Sequence, residues 1–302
     1  MLELTFLGTG TGVPTPYRNH SAIYLRHDDQ CFLWDCGEGT QRQIFSAKLN
    51  FMKIDRIFIT HWHADHWAGL IGLIQTMNLE KRKEPLEIYA PEADRFVGDL
   101  LDMAYWGPRF DIKPINVQFQ KQEATVLVKD PDFTISSIPV KHSIPAVAFC
   151  YQEEDRWNVD LPKATKLYGL KQGPLVGKLK EKGEIELKGK KITLEEVGIL
   201  KKGLKVAYSG DTKPSENMVK LSKGADLLIH ESTFGDEFED YEDRHHTKAA
   251  DAAELAKKAD AKKLILTHFS RRYQDISPLL DQAKKIFPNT ECAKDFLNLQ
   301  LK

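Results

Sequence analysis

Six consecutive residues, His61-Trp62-His63-Ala64-Asp65-His66, bring four potential metal ligands together. They follow Asp55-Arg56-Ile57-Phe58-Ile59-Thr60, whose apolar and β-branched content predicts a buried strand running into a loop. Imidazole and carboxylate are ligands of choice for zinc and similar divalent ions. Alternation in an extended turn lets His61 and His63 reach one ion while Asp65 and His66 face a second. A lone histidine on an apolar face is most often a satisfied core residue; three with an aspartate at a strand end are not. Three further polar residues, His142, Asp211 and His268, also close apolar runs. Singly each reads as a cap or turn residue. Together they complete two ligand sets: His61, His63, His142 and Asp211 for one ion, and Asp65, His66, His268 and the same Asp211 for the other. A carboxylate can bridge two cations with separate oxygens, which suits Asp211 to the shared position.

Two such ions about 3.5–4 Å apart lower the pKa of a bridging water to roughly 7 and clamp an in-line displacement. Asp65 stands where it could ligate and also orient or deprotonate that water. The leaving oxygen still needs a proton. His245 and His246 are both candidates, with Glu231 as an orienting carboxylate, although the pair also reads as an ordinary helix entry.

The elements that must position these residues alternate. Leu4 to Leu7, Ser21 to Leu25 and Cys31 to Trp34 read as strands, and the glycines of Gly8-Thr9-Gly10-Thr11-Gly12 as a tight turn needing positive φ. Residues 67–79 and 92–106 read as helices, Leu86 to Ala90 as a strand, and residues 115–140 as β-rich. Strands at 206–209, 226–231 and 263–268 surround an alanine-rich helix over 247–259. Strands interleaved with helices in two similar halves predict an α/β sandwich with a mixed sheet in each half.

The 302 residues form a single expected domain, 1–302, with 41% hydrophobic and 29% charged residues and 43 basic against 44 acidic side chains. A net charge of −1 predicts no polyanionic partner by itself; such a site must come from local clustering. No apolar run long enough for a transmembrane helix exists, and the start lacks a signal-peptide pattern. Cys31, Cys36, Cys150 and Cys292 show no CxxC spacing, so a reducing cytoplasm is the expected location. One segment departs from the alternation. From Leu161 to Lys191 nine lysines stand against three glutamates, and five glycines interrupt it. Neither a long helix nor a dense core is expected there. A solvated face is the plain reading; neutralising phosphates is the competing one.

The pattern His61-x-His63-x-Asp65-His66, His142, Asp211 and His268 resembles the metallo-β-lactamase superfamily. Phe6-Leu7-Gly8-Thr9-Gly10, Asp35-Cys36-Gly37-Glu38-Gly39-Thr40-Gln41, His142-Ser143-Ile144-Pro145-Ala146, Ser209-Gly210-Asp211-Thr212, His230-Glu231-Ser232-Thr233-Phe234 and Leu266-Thr267-His268-Phe269-Ser270 narrow the resemblance to the ribonuclease Z family. The resemblance implies an α/β, αβ/βα four-layer sandwich holding two Zn2+ per subunit, with Mn2+ or another divalent ion as an alternative. It implies removal of the 3′ trailer from precursor tRNA, leaving a 3′-hydroxyl on the tRNA. Asp65 takes the place of the water-activating aspartate and His245 that of the proton donor, assisted by Glu231; the family's His-Ser-Thr is here His245-His246-Thr247. It also implies a flexible tRNA-binding arm, inserted over 155–192 and protruding from the body. Lys163, Lys166, Lys171, Gly173, Pro174, Lys178, Lys180 and Lys182 are its candidate RNA contacts. A homodimer is typical of the family, with contacts expected around residues 41–48 and 67–79. The rival readings are a phosphodiesterase for a small cyclic phosphate or nucleotide, for which a remote basic arm has no use, and an inactive RNA-binding subunit, against which the full ligand set stands.

Overall fold

The computed structural model of the chain describes residues 1–103, 105, 107–239 and 245–301. Two compact units emerge: Met1–Lys129 with Thr134–Tyr151 and Lys205–Lys302, and Asp130–Phe133 with Gln152–Leu204.

The first unit carries two seven-stranded mixed sheets. One runs in the order Asn298–Leu301, Leu2–Gly8, Ala22–His27, Gln30–Trp34, Ile54–Phe58, Leu86–Ala90, Ile112–Asn116. The other runs Thr290–Cys292, Leu264–Thr267, Leu227–Glu231, Lys205–Tyr208, Val147–Glu153, Phe133–Pro139, Thr125–Lys129. Their central strands are near-continuous apolar runs because both faces are covered. Along Gln30–Trp34, side chains alternate between the faces. Cys31 and Leu33 join a core built with Ile44, Leu70, Leu73, Ile74 and Met77 from helices. Trp34, on the opposite face, stacks on Tyr208 of the other sheet, with ring centroids 5.6 Å apart. Phe58 likewise meets Phe149 edge-on at 5.5 Å. The alanine-rich helix, Ala249–Lys258, and Ser277–Ile286 cover the outer face of the second sheet through Ala252, Ala253, Ala256, Leu279 and Ala283.

The chemistry collects at one edge for a topological reason. Gln30–Trp34 runs parallel to Ile54–Phe58, and in the other sheet Lys205–Tyr208, Leu227–Glu231 and Leu264–Thr267 are mutually parallel. Asp35, His61, Asp211, Glu231 and His268 all lie at or just past the carboxyl ends of these strands. Side chains leaving such ends converge on the crevice that α/β sheets use for ligands.

Local expectations needed correction in three places. Gly8, Gly10 and Gly12 make no positive-φ turn. Gly8 is required by close approach instead, since a Cβ there would lie 1.7 Å from the His20 carbonyl oxygen. The helix expected over 67–79 is broken into Ala64–Trp67 and Leu70–Leu79. At the break a Cβ on Gly69 would lie 2.2 Å from the Gly37 carbonyl oxygen, so the chain packs there more tightly than any side chain permits. The helix expected over 92–106 spans Ala93–Asp102, with residues 104 and 106 outside the described ones.

The second unit is better ordered than its composition predicted. Arg156–Val159 pairs with Gly198–Lys201, which carries the unit beyond the expected 155–192. Glu184–Leu187 pairs with Lys190–Thr193, and helices span Leu161–Tyr168 and Pro174–Lys182. Ala164, Leu170, Val176, Leu179, Ile192, Leu194 and Val197 form a small core of their own. Gly169 and Gly183 cap the two helices in the left-handed region rather than loosening the segment. Lys163, Lys166, Lys171, Lys178, Lys180 and Lys182 are all exposed, as are Gly173 and Pro174.

Candidate metal centre

His61, His63 and His142 form one cluster, and Asp65, His66, Asp211 and His268 a second. Thus the structure brings together all seven residues expected to bind metal. His61, Asp65, His66, Asp211 and His268 are buried, while His63 and His142 are half-buried.

His61, His66, His142 and His268 each have one ring nitrogen engaged by a group outside the clusters, which sets the nitrogen each turns inward. A carboxylate can only accept, so His66 Nδ1–H donates to Asp35 Oδ2 at 2.8 Å, leaving Nε2 to face the cluster. Thr60 donates its hydroxyl to Asp35 Oδ1 (3.0 Å) and so accepts from His61 Nδ1–H at 3.1 Å. Thr233 donates to Glu231 and accepts from His268 Nδ1–H at 3.0 Å. His142 Nδ1–H donates to the His245 carbonyl at 3.0 Å. The remaining nitrogens converge. His63 Nδ1 lies 3.1 Å from His61 Nε2 and 3.0 Å from His142 Nε2. His66 and His268 oppose their Nε2 atoms at 3.2 Å. Asp211 Oδ1 sits 3.3 and 3.1 Å from those two nitrogens, yet it has no hydrogen bond although buried.

Bare nitrogens and an orphaned carboxylate oxygen at such distances are costly unless something positive lies among them. Ligands about 2.0–2.1 Å from a tetrahedral zinc ion stand roughly 3.3 Å apart, which matches this spacing. Seven donors with inward lone pairs therefore fit divalent cations in both clusters.

The electrostatics agree. Burial pushes His61, His63 and His142 below the ordinary imidazole range, keeping them neutral and ready to ligate. Burial would raise Asp65 and Asp211, but the imidazoles of His66 and His268 outweigh it and hold both carboxyls low. Burial also opposes charge on His66, yet Asp211, Asp35 and Asp65 pull it well above the usual range. That carboxylate field can be answered by a proton on His66 or by a dication.

Beside the second cluster, Glu231 is fully buried and accepts from Thr212 N (2.9 Å), Thr233 N (3.2 Å) and His246 Nδ1 (2.9 Å). Burial works against a charged His246, but the Glu231 carboxylate overrides it and lifts His246 to about 9. His246 also lines a cavity of about 450 Å³ with His63, Asp65, Asp211, His268 and Arg272. His245, the residue expected to donate the proton, meets the site through its backbone carbonyl, with its ring centroid 6.4 Å from that of His142. Its φ of 57° places its carbonyl against His142. The residue one position along makes the contact with Glu231.

Sequence reasoning assigned no role to the support behind His66. Asp35 accepts from His66, from Thr60 N at 2.8 Å and from the Tyr208 hydroxyl at 2.7 Å, all in the core. The signal was present: a carboxylate closing a buried strand just as His61 and His268 do.

A family model described as a β-lactamase superfamily domain matches residues 195–269, and another, described as the anti-Pycsar protein Apyc1, matches residues 2–102. Ribonuclease Z of Methanothermobacter thermautotrophicus is 43% identical over the whole chain and 97% of its own length. Ribonuclease Z of Archaeoglobus fulgidus is 40% identical over the whole chain and 98% of its own length. Among solved structures, the short form of human tRNase Z is 30% identical, covers 99% of both chains and superimposes with a TM-score of 0.71. Two mixed sheets around a buried His/Asp cluster define a metal-dependent hydrolase of the metallo-β-lactamase fold. Within that class, the chain belongs to the ribonuclease Z family.

Proposed function

We propose that the protein cuts precursor tRNA endonucleolytically at the 3′ end of the mature sequence, with two Zn2+ ions, or Mn2+ or another divalent ion, held by His61, His63, His142, Asp65, His66, His268 and a shared Asp211. The observation that carries this reading is the convergence of seven inward-facing donors beside a Glu231–His246 pair in one cavity. Bound there, the cations supply a hydroxide nucleophile at neutral pH and offset charge developing on the phosphoryl oxygens. Asp65 would orient the attacking water and accept the proton it loses on becoming hydroxide, its carboxyl being held ionised beside His66 and His268. Glu231 holds His246 by Nδ1, so Nε2–H is free to protonate the departing 3′-oxygen, which becomes the 3′-hydroxyl of the tRNA. His246 rather than His245 is thus the proton donor; His245 orients His142 through its carbonyl.

Lys163, Lys166, Lys171, Lys178, Lys180 and Lys182, with the Gly173-Pro174 entry to their helix, form the tRNA-gripping surface of the second unit. Their exposure supports this, and phosphate contacts position a substrate whose shape is read over a long span. Replacing Lys178, Lys180 and Lys182 by alanine raises KM and flattens its salt dependence by about 0.9 log units per lost contact, with kcat retained. A homodimer is supported by Phe45 and Leu79, apolar side chains 53% and 76% exposed on the helices Thr40–Ser46 and Leu70–Leu79. A monomeric mass in solution rules it out. Among the described residues no helix is long and apolar enough to cross a membrane. The four cysteines are unpaired, which fits a reducing, cytoplasmic compartment. The deciding experiment maps the cut in an end-labelled precursor tRNA with and without a chelator. One chelator-sensitive cut after the unpaired discriminator nucleotide supports the reading. Hydrolysis of small phosphodiesters without any cut in the RNA overturns it.

A further inference from the structure

A second cavity, of about 510 Å³, lies in the same unit as the metal centre and is not used by the chemistry above. Tyr17, Phe296, Arg42 and Lys294 line it. Tyr17 and Phe296 are each 45% exposed, large aromatic side chains left half in water. Arg42 and Lys294 are exposed cations in the single chain, Arg42 standing on the same helix, Thr40–Ser46, as the Phe45 of the proposed homodimer contact.

Phe296 is held there against its conformational preference. Its φ is 68°, a left-handed value that is costly for a bulky residue and that glycine or asparagine would adopt more cheaply. Flanking hydrogen bonds enforce it: Phe296 N donates to Phe6 O at 2.7 Å, and Leu297 N to Lys294 O at 2.9 Å. Backbone strain of this kind persists where its surroundings over-determine it and marks sites of function. Tyr17 is also pre-set. The Arg18 guanidinium lies 5.1 Å from the Tyr17 ring centroid and donates to the Tyr273 and Gln274 carbonyls. The single carboxylate in the cavity, Asp295, is spent internally on Thr9, the Asn19 amide and Gln43. Two exposed cations and two half-exposed aromatic side chains remain.

That combination is the general apparatus for single-stranded nucleic acid: rings on which any base can stack, beside cations for the backbone. A paired stem has no free base faces to offer. The cavity is joined to the metal centre by one loop. Thr11 and Gly12 border the catalytic cavity, and Thr15 to Asn19 border this one.

Resting on the ribonuclease Z reading, we infer that Tyr17 and Phe296, with Arg42 and Lys294, form a subsite for the unpaired nucleotides on the 3′ side of the cut. The trailer is the stretch of the substrate that stays unpaired beyond the discriminator, so it is the occupant this chemistry selects. The subsite gives precursor with a long trailer an advantage over precursor with a short one.

The test uses the full-length metal-loaded protein and two precursor tRNAs, one with a single-nucleotide trailer and one with a trailer of about ten nucleotides. Tyr17→Ala, Phe296→Gly, and Arg42→Gln combined with Lys294→Gln are compared with wild type. Glycine accepts the backbone angle at 296, so that variant keeps the turn. The ratio of kcat/KM for the long to the short trailer falls roughly 5- to 100-fold in the aromatic variants, mainly through KM, and Phe296→Tyr restores it. An unchanged ratio, or equal loss on both precursors, overturns the subsite while leaving the ribonuclease reading intact. A changed solution mass in Tyr17→Ala overturns it in favour of a contact between copies of the chain. Wild type that cuts neither precursor overturns the ribonuclease reading, and the subsite with it.

Discussion

The two ligand clusters solve the same problem with different materials. His61, His63 and His142 offer three neutral imidazoles, two of them half-buried. Asp65, His66, Asp211 and His268 are all buried and bring two carboxylates, with Asp35 behind His66 as a third. Neutral imidazoles carry no charge to be offset, so the first cluster lacks the mutual carboxylate repulsion of the second, although its inward nitrogens still face one another at 3.0–3.1 Å. Buried carboxylates at such range repel one another unless a cation lies among them. The comparison teaches that the two donor sets are unequal by construction: buried carboxylates make one demand a cation more strongly than the neutral imidazoles of the other.

In the proposed two-ion arrangement Asp211 is the shared residue, so its loss has the largest expected effect. Asp211→Ala lowers kcat on precursor tRNA on the order of 10³-fold or more and weakens both ions, as metal analysis after dialysis would show. If one ion stays at full affinity, the shared position is wrong. Next comes His246, the proposed proton donor beside the carboxylate-rich cluster. His246→Gln costs about 10²- to 10⁴-fold in single-turnover rate, whereas His245→Ala, which keeps its carbonyl, costs about tenfold or less. A reversed order would return the role to His245.

The third expectation concerns the anchoring itself. Tyr208→Phe removes one donor from Asp35 while preserving the ring stack on Trp34. Metal affinity of the carboxylate-rich cluster drops about 10- to 100-fold, read by competition with a chelator, and the histidine cluster is unchanged. Equal loss from both would break the distinction. The smallest effect is one of pH on the metal-stripped protein. His246 stands at about 9 against an ordinary 6.5, so its pairing with Glu231 stabilises the fold fully below about 6.5. That contribution is lost as pH rises through about 9. The Tm advantage of wild type over His246→Gln therefore shrinks across that window, and an advantage independent of pH would refute the charged pair.

Much of this site was legible because its residues cannot be reconciled with anything else. Three histidines and an aspartate in six positions after a strand leave few alternatives to metal binding. The strand at Leu86–Ala90 was legible for a related reason, its length and apolar run leaving one reading. The choice between His245 and His246 was not legible. Adjacent identical side chains have identical chemistry, and only the backbone turn at residue 245 sends one carbonyl to His142 and the next ring to Glu231. The lysine-rich segment misled in the other direction. Its charge density concealed Val176 and Leu179, which lie one helical turn apart on nine residues and bury against Ile192 and Val197 from a distant hairpin and helix. Such a core exists only through long-range contacts, which no local pattern records.

By itself the sequence determined the ligand types, their grouping at strand ends and the α/β alternation, since all three depend on residues near one another in the chain. Tertiary structure alone decided which nitrogen each histidine presents, that Asp35 and Tyr208 stand behind His66, and that Tyr17 and Phe296, 279 positions apart in the chain, line one cavity. Those outcomes depend on where carboxyl ends of separate strands arrive in space, and that is set by the packing of two sheets rather than by any segment of either.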